Sequence, residues 1–195
     1  MELGAEGALA ARLDGDPRPD ARVGERLASV LALVIEKPEP SILFTERAAG
    51  LSRHAGELSF PGGLREPQDE RAAETAVRET LEEIGLDPAA YRLLGALSPV
   101  HTFVSGILVT PFVGVIESLP TLEVSDAEIA RVLTLPIRSL VEAEEERELQ
   151  RDGGRVWRGW WYEVAGVTVW GATAFMLREL LQLLREEAPW LVRAS

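Results

Sequence analysis

The chain has 195 residues, no cysteine, two histidines and a formal charge of −12. A chain of this length can bury one substantial core, and without thiols it forms neither disulfides nor Cys-based zinc sites, so any metal must be held by oxygen. The acidity argues against nucleic acid and anionic membranes as partners, although arginines and a divalent cation can reverse the field within one cleft.

Residues 1–24, rich in Gly, Ala, Asp and Pro, read as a mobile lead or a short helix near Leu9 to Leu13, and residues 25–195 as one domain. The N-terminus lacks a basic segment followed by a long apolar core, and the longest apolar runs are too short and interrupted to span a bilayer. A cytoplasmic protein is expected. The runs ASVLALVIE and SILFTER, separated by KPEP, predict two neighbouring strands, and ELSF predicts a short extended piece stopped by Pro61, Gly62 and Gly63. From about residue 70 to 85, Ala73, Val77, Leu81 and Ile84 recur at helical spacing and predict the buried stripe of an amphipathic helix ended by Gly85. YRLLGALSP, GILVTPFVGVIES and RVLTLPI read as strands, and IRSLVEAEEERELQR as a solvated helix. RVWRGWWYEVAGVTVW reads as an aromatic hairpin, and GATAFMLRELLQLLREE as a final helix. Strands and helices mixed without regular alternation predict an α/β (α+β) fold, a mixed sheet with helices on both faces.

On the helix of residues 70–85, Glu79, Glu82 and Glu83 stand at i, i+3 and i+4, so their carboxylates are neighbours. Each like-charge pair costs about 0.2–0.5 kcal/mol in an isolated helix, which a solvated face with Arg78 as ion-pair partner can carry. The upstream Gly62 and Gly63 favour a second reading: a backbone without Cβ atoms can turn sharply and present a carbonyl beside the helix. Magnesium takes hard oxygens from carboxylates, waters and substrate phosphates, and Glu79, Glu82, Glu83 and a glycine carbonyl form such a donor set.

At these residues the chain resembles the Nudix hydrolase family, whose box is G-x5-E-x7-R-E-U-x-E-E-x-G-U with U aliphatic. Here the box reads Gly63, Glu70, Arg78, Glu79, Thr80, Glu82, Glu83, Gly85 and Leu86. Six residues rather than five separate Gly63 from Glu70, Asp69 stands at the five-residue spacing, and Thr80 replaces an aliphatic residue, so two acids compete for the first acidic position. The resemblance implies a Nudix-like α/β/α sandwich and a pyrophosphohydrolase dependent on Mg²⁺ or Mn²⁺. It implies Glu82 and Glu83 as metal ligands, Glu79 as ligand or base, the Gly62 carbonyl as a further ligand, Arg78 as the group that orients Glu79, and Glu128 as an acid from a later loop.

The preceding segment, LFTERAAGLSRHAGELSFPGG, resembles the coenzyme A pyrophosphatase subgroup, with pattern L-L-T-x-R-[SA]-x3-R-x3-G-x3-F-P-G-G. Thr45, Arg47, Ala48, Gly56, Phe60, Pro61, Gly62 and Gly63 match, whereas Phe44 stands for a leucine and Ser52 for the inner arginine, with Arg53 beside it. The resemblance implies cleavage of coenzyme A or its thioesters to 3′,5′-ADP and a 4′-phosphopantetheine product. Arg47, Arg53, Gly62 and Gly63 are the expected substrate contacts, since arginine offers forked donors to phosphate oxygens; Phe60, also a candidate substrate contact, reads first as core and second as a base-stacking platform. Hydrolysis of ADP-ribose or another nucleoside diphosphate conjugate, and a Nudix-shaped binding module without turnover, remain the competing readings. Trp157, Trp160 and Trp161 serve either hairpin packing or stacking on an adenine or pantetheine arm; His54 and His101 read as ordinary polar positions. The expected partner is a small diphosphate, with a homodimer left open.

Overall fold

The computed structural model describes residues 5–48, 56–102, 105–151 and 155–193. In chain order it runs through α1 (Ala5–Ala10), β1 (Arg26–Lys37), β2 (Ser41–Arg47), β3 (Leu58–Ser59), β4 (Gly62–Leu64) and α2 (Ala72–Ile84). A 3₁₀ turn (Pro88–Ala90) leads to β5 (Arg92–Ala96), β6 (Val100–His101), β7 (Ile107–Ser118) and β8 (Ile129–Pro136). Then come α3 (Ile137–Glu142), β9 (Glu144–Arg151), β10 (Arg155–Val164), β11 (Val167–Val169), α4 (Gly171–Glu187) and α5 (Pro189–Val192).

The first apolar run becomes the middle of a mixed sheet. Strand β1 pairs antiparallel with β2 and β4 and parallel with β7, from Arg26 opposite Ile107 to Lys37 opposite Ser118. Both its faces are covered, which is why its apolar residues run on without alternation. Leu31, Leu33 and Ile35 point to the α2 side with Leu43, Phe112, Ala76 and Ile84. Val30, Ala32 and Val34 point to the other side, into a core shared with Phe44, Leu177, Leu180 and Leu184. Helices therefore cover both faces, as the mixed pattern predicts. Strand β8 extends the sheet by pairing antiparallel with β2, and β5 and β6 pair with β7. A second sheet has the order β11-β10-β9.

Several local expectations change. The N-terminal helix lies at Ala5–Ala10 rather than near Leu9 to Leu13, with Leu9 fully buried against the core of α4. Helix α2 is rotated relative to the predicted stripe: Thr75, Ala76, Thr80, Glu83 and Ile84 are buried while Leu81 is 47% exposed. Two glutamates explain the rotation, since Glu79 and Glu83 share the face of Ala76 and Thr80 and must meet β4 (below). Thr80, in its aliphatic slot, satisfies its hydroxyl by donating to Ala76 O at 2.7 Å. The acidic run is a helix only to Glu142; from Glu144 it is strand β9. Its charges find partners across strands and from α4: Arg147 with Glu163, Arg158 with Glu148, and Arg185 with Glu144.

Candidate active site

Two glycines bring β4 and α2 together. Gly62 has φ of 151°, and a Cβ there would lie 2.3 Å from Ser29 O and 2.5 Å from Val30 Cα, so no side chain fits between β4 and β1. A Cβ on Gly63 would lie 2.4 Å from Glu79 Cδ, so the Glu79 carboxylate occupies the space a side chain would fill. Pro61 O accepts from Leu31 N and Arg65 N donates to Leu27 O, so alternate residues of this edge face β1. The Gly62 N–H points away from β1 and donates to Glu83 Oε2 at 3.1 Å.

Arg78 organises the acids. Its guanidinium has five N–H groups, and Nε donates to Asp69 Oδ1 (3.1 Å), Nη2 to Asp69 Oδ2 (2.9 Å) and Leu64 O (3.1 Å), and Nη1 to Glu79 Oε1 (2.9 Å) and Glu82 Oε2 (3.0 Å). Asp69, 5% exposed, also accepts from Thr75 Oγ1 and Glu66 N. The arginine fork closes on Asp69, the acid at the five-residue spacing from Gly63. Exposed Glu70 instead offers its backbone, with N–H donating to Glu74 and C=O accepting from Arg65. The Arg78 guanidinium holds the Asp69 carboxyl well below the usual carboxylate range.

The other carboxylates shift the opposite way. Burial pushes Glu83 up to about 7, against the Gly62 amide and the Arg47 charge, while Glu79 and Glu128 add repulsion. Burial also raises Glu79, opposed by Arg78 and reinforced by Glu82 and Glu128. Arg47 and Glu128 come to this patch through the β2–β8 pairing: Arg47 stands opposite Ile129, and Ala48 N donates to Glu128 O at 2.9 Å. The later loop is tied to α2 as well, since Ser125 N donates to Glu83 O at 2.8 Å.

Of the residues predicted for the site, the fold thus gathers Gly62, Gly63, Arg78, Glu79, Glu82, Glu83, Glu128 and Arg47. Phe60 is a correction: it is 1% exposed and stacks on Phe44 with ring centroids 5.1 Å apart, so it is core and the Phe44 departure supplies its neighbour. Arg53, Ser52 and His54 lie outside the described residues. His101 accompanies Glu25, Nδ1 to Oε1 at 2.8 Å. Trp160 points inward under Arg178, whose Cζ is 4.0 Å from its ring centroid; of Trp157 only the place on β10 is described. Asp69 was legible only through its spacing; Trp161 stacks on Trp170.

The carboxylates of Glu79, Glu82, Glu83 and Glu128 offer only oxygen, and Glu79 is repelled by Glu82 and Glu128, which suits a hard divalent cation. Such an ion keeps waters and substrate oxygens in its shell and needs few protein ligands. Among the described residues no three acidic or histidine side chains close into a ready-made cage, and Arg78 Nη1 spans Glu79 and Glu82. A cavity of about 510 Å³ lined by Arg12, Asp14, Ser98, Glu179 and Glu186 contains none of these acids.

The NUDIX domain family matches residues 25–152. The protein named "Uncharacterized Nudix hydrolase NudL" of Cronobacter sakazakii is 36% identical over 169 residues, 85% of this chain and 86% of its own length. Its namesake in Escherichia coli K12 is 35% identical over 162 residues, 81% and 82% of the two chains. Among solved structures, the NUDIX domain of Shewanella oneidensis NrtR complexed with ADP ribose superimposes with a TM-score of 0.53 at 16% identity, covering 87% of this chain and 92% of that one. The E. coli ORF135 protein gives 0.51 at 20% identity, over 87% and 99%. These two likenesses concern the fold. The family match, the relatives of matching extent and the intact R-E-x2-E-E-x-G core together show that the chain belongs to the Nudix family of hydrolases, enzymes that act on pyrophosphate bonds.

Proposed function

We propose that the chain hydrolyses the diphosphate of coenzyme A or its thioesters, giving 3′,5′-ADP and 4′-phosphopantetheine or its acyl derivative. The observation that carries this reading is Arg47: it belongs to the segment resembling the coenzyme A subgroup, and its charge acts on Glu83 of the box. A phosphate donor and a buried carboxylate thus serve one site.

Glu82, Glu83, the Gly62 carbonyl and Glu128 are the groups that would hold Mg²⁺ or Mn²⁺, with Glu79 serving as a further ligand or as the base. A divalent cation held by these groups would supply charge neutralisation at the phosphate oxygens and ease departure of the bridging oxygen. Arg47 and Arg53 bind phosphate oxygens, and Gly63, lacking a Cβ, leaves room for the Glu79 carboxylate. Arg78 keeps the Glu79 carboxylate aimed by a charge-assisted bond while Asp69 anchors Arg78 from behind. Water adds its oxygen to one phosphorus, the bridging P–O bond breaks, and Glu79, whose pKa burial raises, accepts the proton that water gives up. Both products leave as phosphate monoesters.

The test is product analysis by mass spectrometry together with kcat/KM for coenzyme A, dephospho-coenzyme A and ADP-ribose, with Mg²⁺ and with Mn²⁺. Coenzyme A is expected to give the highest value. A preference for dephospho-coenzyme A or ADP-ribose transfers the site to other nucleoside diphosphate conjugates, the reading that Ser52 in the inner arginine position favours. Full activity of Glu82→Gln or Glu83→Gln would show that the chemistry lies elsewhere.

A further inference from the structure

The end of α2 is closed by a loop. Residues 119–128 cross it on their way from β7 to β8, seated by Leu119 and Leu122 against the core cluster that holds Ile84 and Leu86. A Cβ on Gly85 would lie 2.8 Å from Glu123 Cβ, so the loop comes as near as a glycine allows. The last carbonyls of a helix have no partner within it. Here Leu81 O accepts from Gly85 N, Ile84 O from Glu123 N at 3.1 Å and Glu83 O from Ser125 N at 2.8 Å.

Capping of α2 explains only half of what Ser125 does. Its carbonyl accepts from Glu128 N at 3.1 Å and from Ile129 N at 3.0 Å, and Glu128 O in turn accepts from Ala48 N at 2.9 Å. A cap needs only the Ser125 N–H, and a tight turn into β8 needs only its carbonyl, yet both are engaged. One run of peptide groups thus passes from Glu83 through Ser125 to Glu128 and on to the residue after Arg47. The residues it joins bear the charges of the site, since Arg47 and Glu128 both act on the Glu83 carboxyl. The Glu128 side chain adds no restraint of its own: among the described residues its exposed carboxylate has neither a hydrogen-bond nor an ion-pair partner. The β2–β8 ladder is irregular just beside it, with Glu46 facing Arg131 and Arg47 facing Ile129, which leaves Ala130 as a bulge.

We propose that Ser125 is a positioning residue whose peptide groups hold the Glu128 carboxylate at a set distance from Glu83, so that both close on one divalent cation. The inference rests on the cation site proposed above, in which Glu83 and Glu128 are ligands. Ser125 itself touches neither metal nor substrate. Removing a group that holds a metal ligand in place lowers metal affinity about 10- to 100-fold. A cap that merely steadied α2 would change the stability of the fold and leave the affinity alone.

The test titrates Mn²⁺ into substrate-free protein, with the free ion read by electron paramagnetic resonance. Ser125→Pro deletes the N–H that binds Glu83 O, and Glu123→Pro deletes the parallel bond to Ile84 O, which leads to no charge of the site. Ser125→Pro is expected to raise the Mn²⁺ Kd by the factor above, and Glu123→Pro by less than about threefold. Ser125→Pro added to Glu128→Gln is expected to weaken binding little beyond Glu128→Gln alone, because Ser125 acts through that carboxylate. An unchanged Kd in Ser125→Pro or in Glu128→Gln, equal rises in the two proline variants, or effects of Ser125→Pro and Glu128→Gln that multiply would overturn the assignment. Should Ser125→Pro not fold, amide hydrogen exchange of the wild type decides: Mg²⁺ is expected to slow the Ser125, Glu128 and Ala48 amides together, and exchange indifferent to the ion overturns the proposal. Hydrolysis is scored separately. If the coupled loss of Mn²⁺ affinity is found in a protein that cleaves neither coenzyme A nor ADP-ribose, the positioning stands and the hydrolysis reading falls.

Discussion

Replacing Asp69 with asparagine removes one charge and almost no volume, and so isolates the anchor behind Arg78. Asp69 is 5% exposed and accepts four bonds, from Arg78 Nε, Arg78 Nη2, Thr75 Oγ1 and Glu66 N, at 2.9–3.1 Å. Donors face both carboxylate oxygens, so whichever way the asparagine amide turns, its NH₂ meets an N–H or O–H. Breaking a buried ion pair from one side costs about 3–5 kcal/mol. For a chain of this size that is a fall in Tm of roughly 6–20 °C. The assay is urea denaturation of Asp69→Asn, Arg78→Met and the double variant, with coupling read from the cycle. The pH dependence has a definite sign. The folded carboxyl holds its proton less tightly than the unfolded one, so Asp69 stabilises the fold fully at neutral pH. That contribution fades as pH falls below the unfolded value of about 4, and the variant lacks this part of the acid limb. A loss under about 1 kcal/mol, or additive single variants, would refute the view that Asp69 and Arg78 form one buried unit.

Further outcomes follow from the same geometry. Gly63→Ala drives a methyl into the Glu79 carboxylate and is expected to lower kcat/KM at least about 100-fold, measured beside a circular dichroism melt that stays cooperative. In metal-free protein with a chelator, Glu83, pushed up to about 7 by burial, should lose stability as pH rises from about 4.5 to 7, by up to roughly 3 kcal/mol, because the folded state resists its ionisation. Chemical denaturation across that range should show the slope flattened in Glu83→Gln, and an unchanged slope would rule out Glu83 as its source. Leu81→Ala, at a half-exposed site, should cost under about 1 kcal/mol, whereas Ile84→Ala, fully buried, should cost about 2–5 kcal/mol by the same unfolding assay. Equal costs would return α2 to the orientation its apolar spacing predicts.

What the chain discloses in one dimension is local. The runs of β1 and β2, the turn at Gly62 and Gly63 and the helix stop at Gly85 are written in residue type and spacing, and the box core names the acids outright. Long-range pairing is not written there: nothing in RVLTLPI says that it lies beside SILFTER, yet that pairing carries Glu128 and Arg47 to Glu83. Periodicity misled where polar residues do a core residue's duty. Thr80 and Glu83 are buried through a back-bonded hydroxyl and a backbone amide, which a hydrophobicity pattern counts as surface. Composition misled at β9, where charge suggests a solvated helix but arginines on β10 and α4 neutralise glutamates one by one across the gap. Phe60 was ambiguous in sequence, its motif position allowing a ligand contact, and its packing on Phe44 places it in the core, the reading its residue type favoured.

Strand β9 has a consequence for how copies of the chain coexist at high concentration. It bonds to β10 on one side, and among the described residues its other rim has no strand against it. A bare rim of amides and carbonyls invites fibrillar association, especially when the strand is apolar. The sequence EEERELQR makes that association costly, because a second molecule docking there would set glutamate against glutamate and have to strip water from each. The acidic run thus opposes growth of the smaller sheet beyond its own molecule.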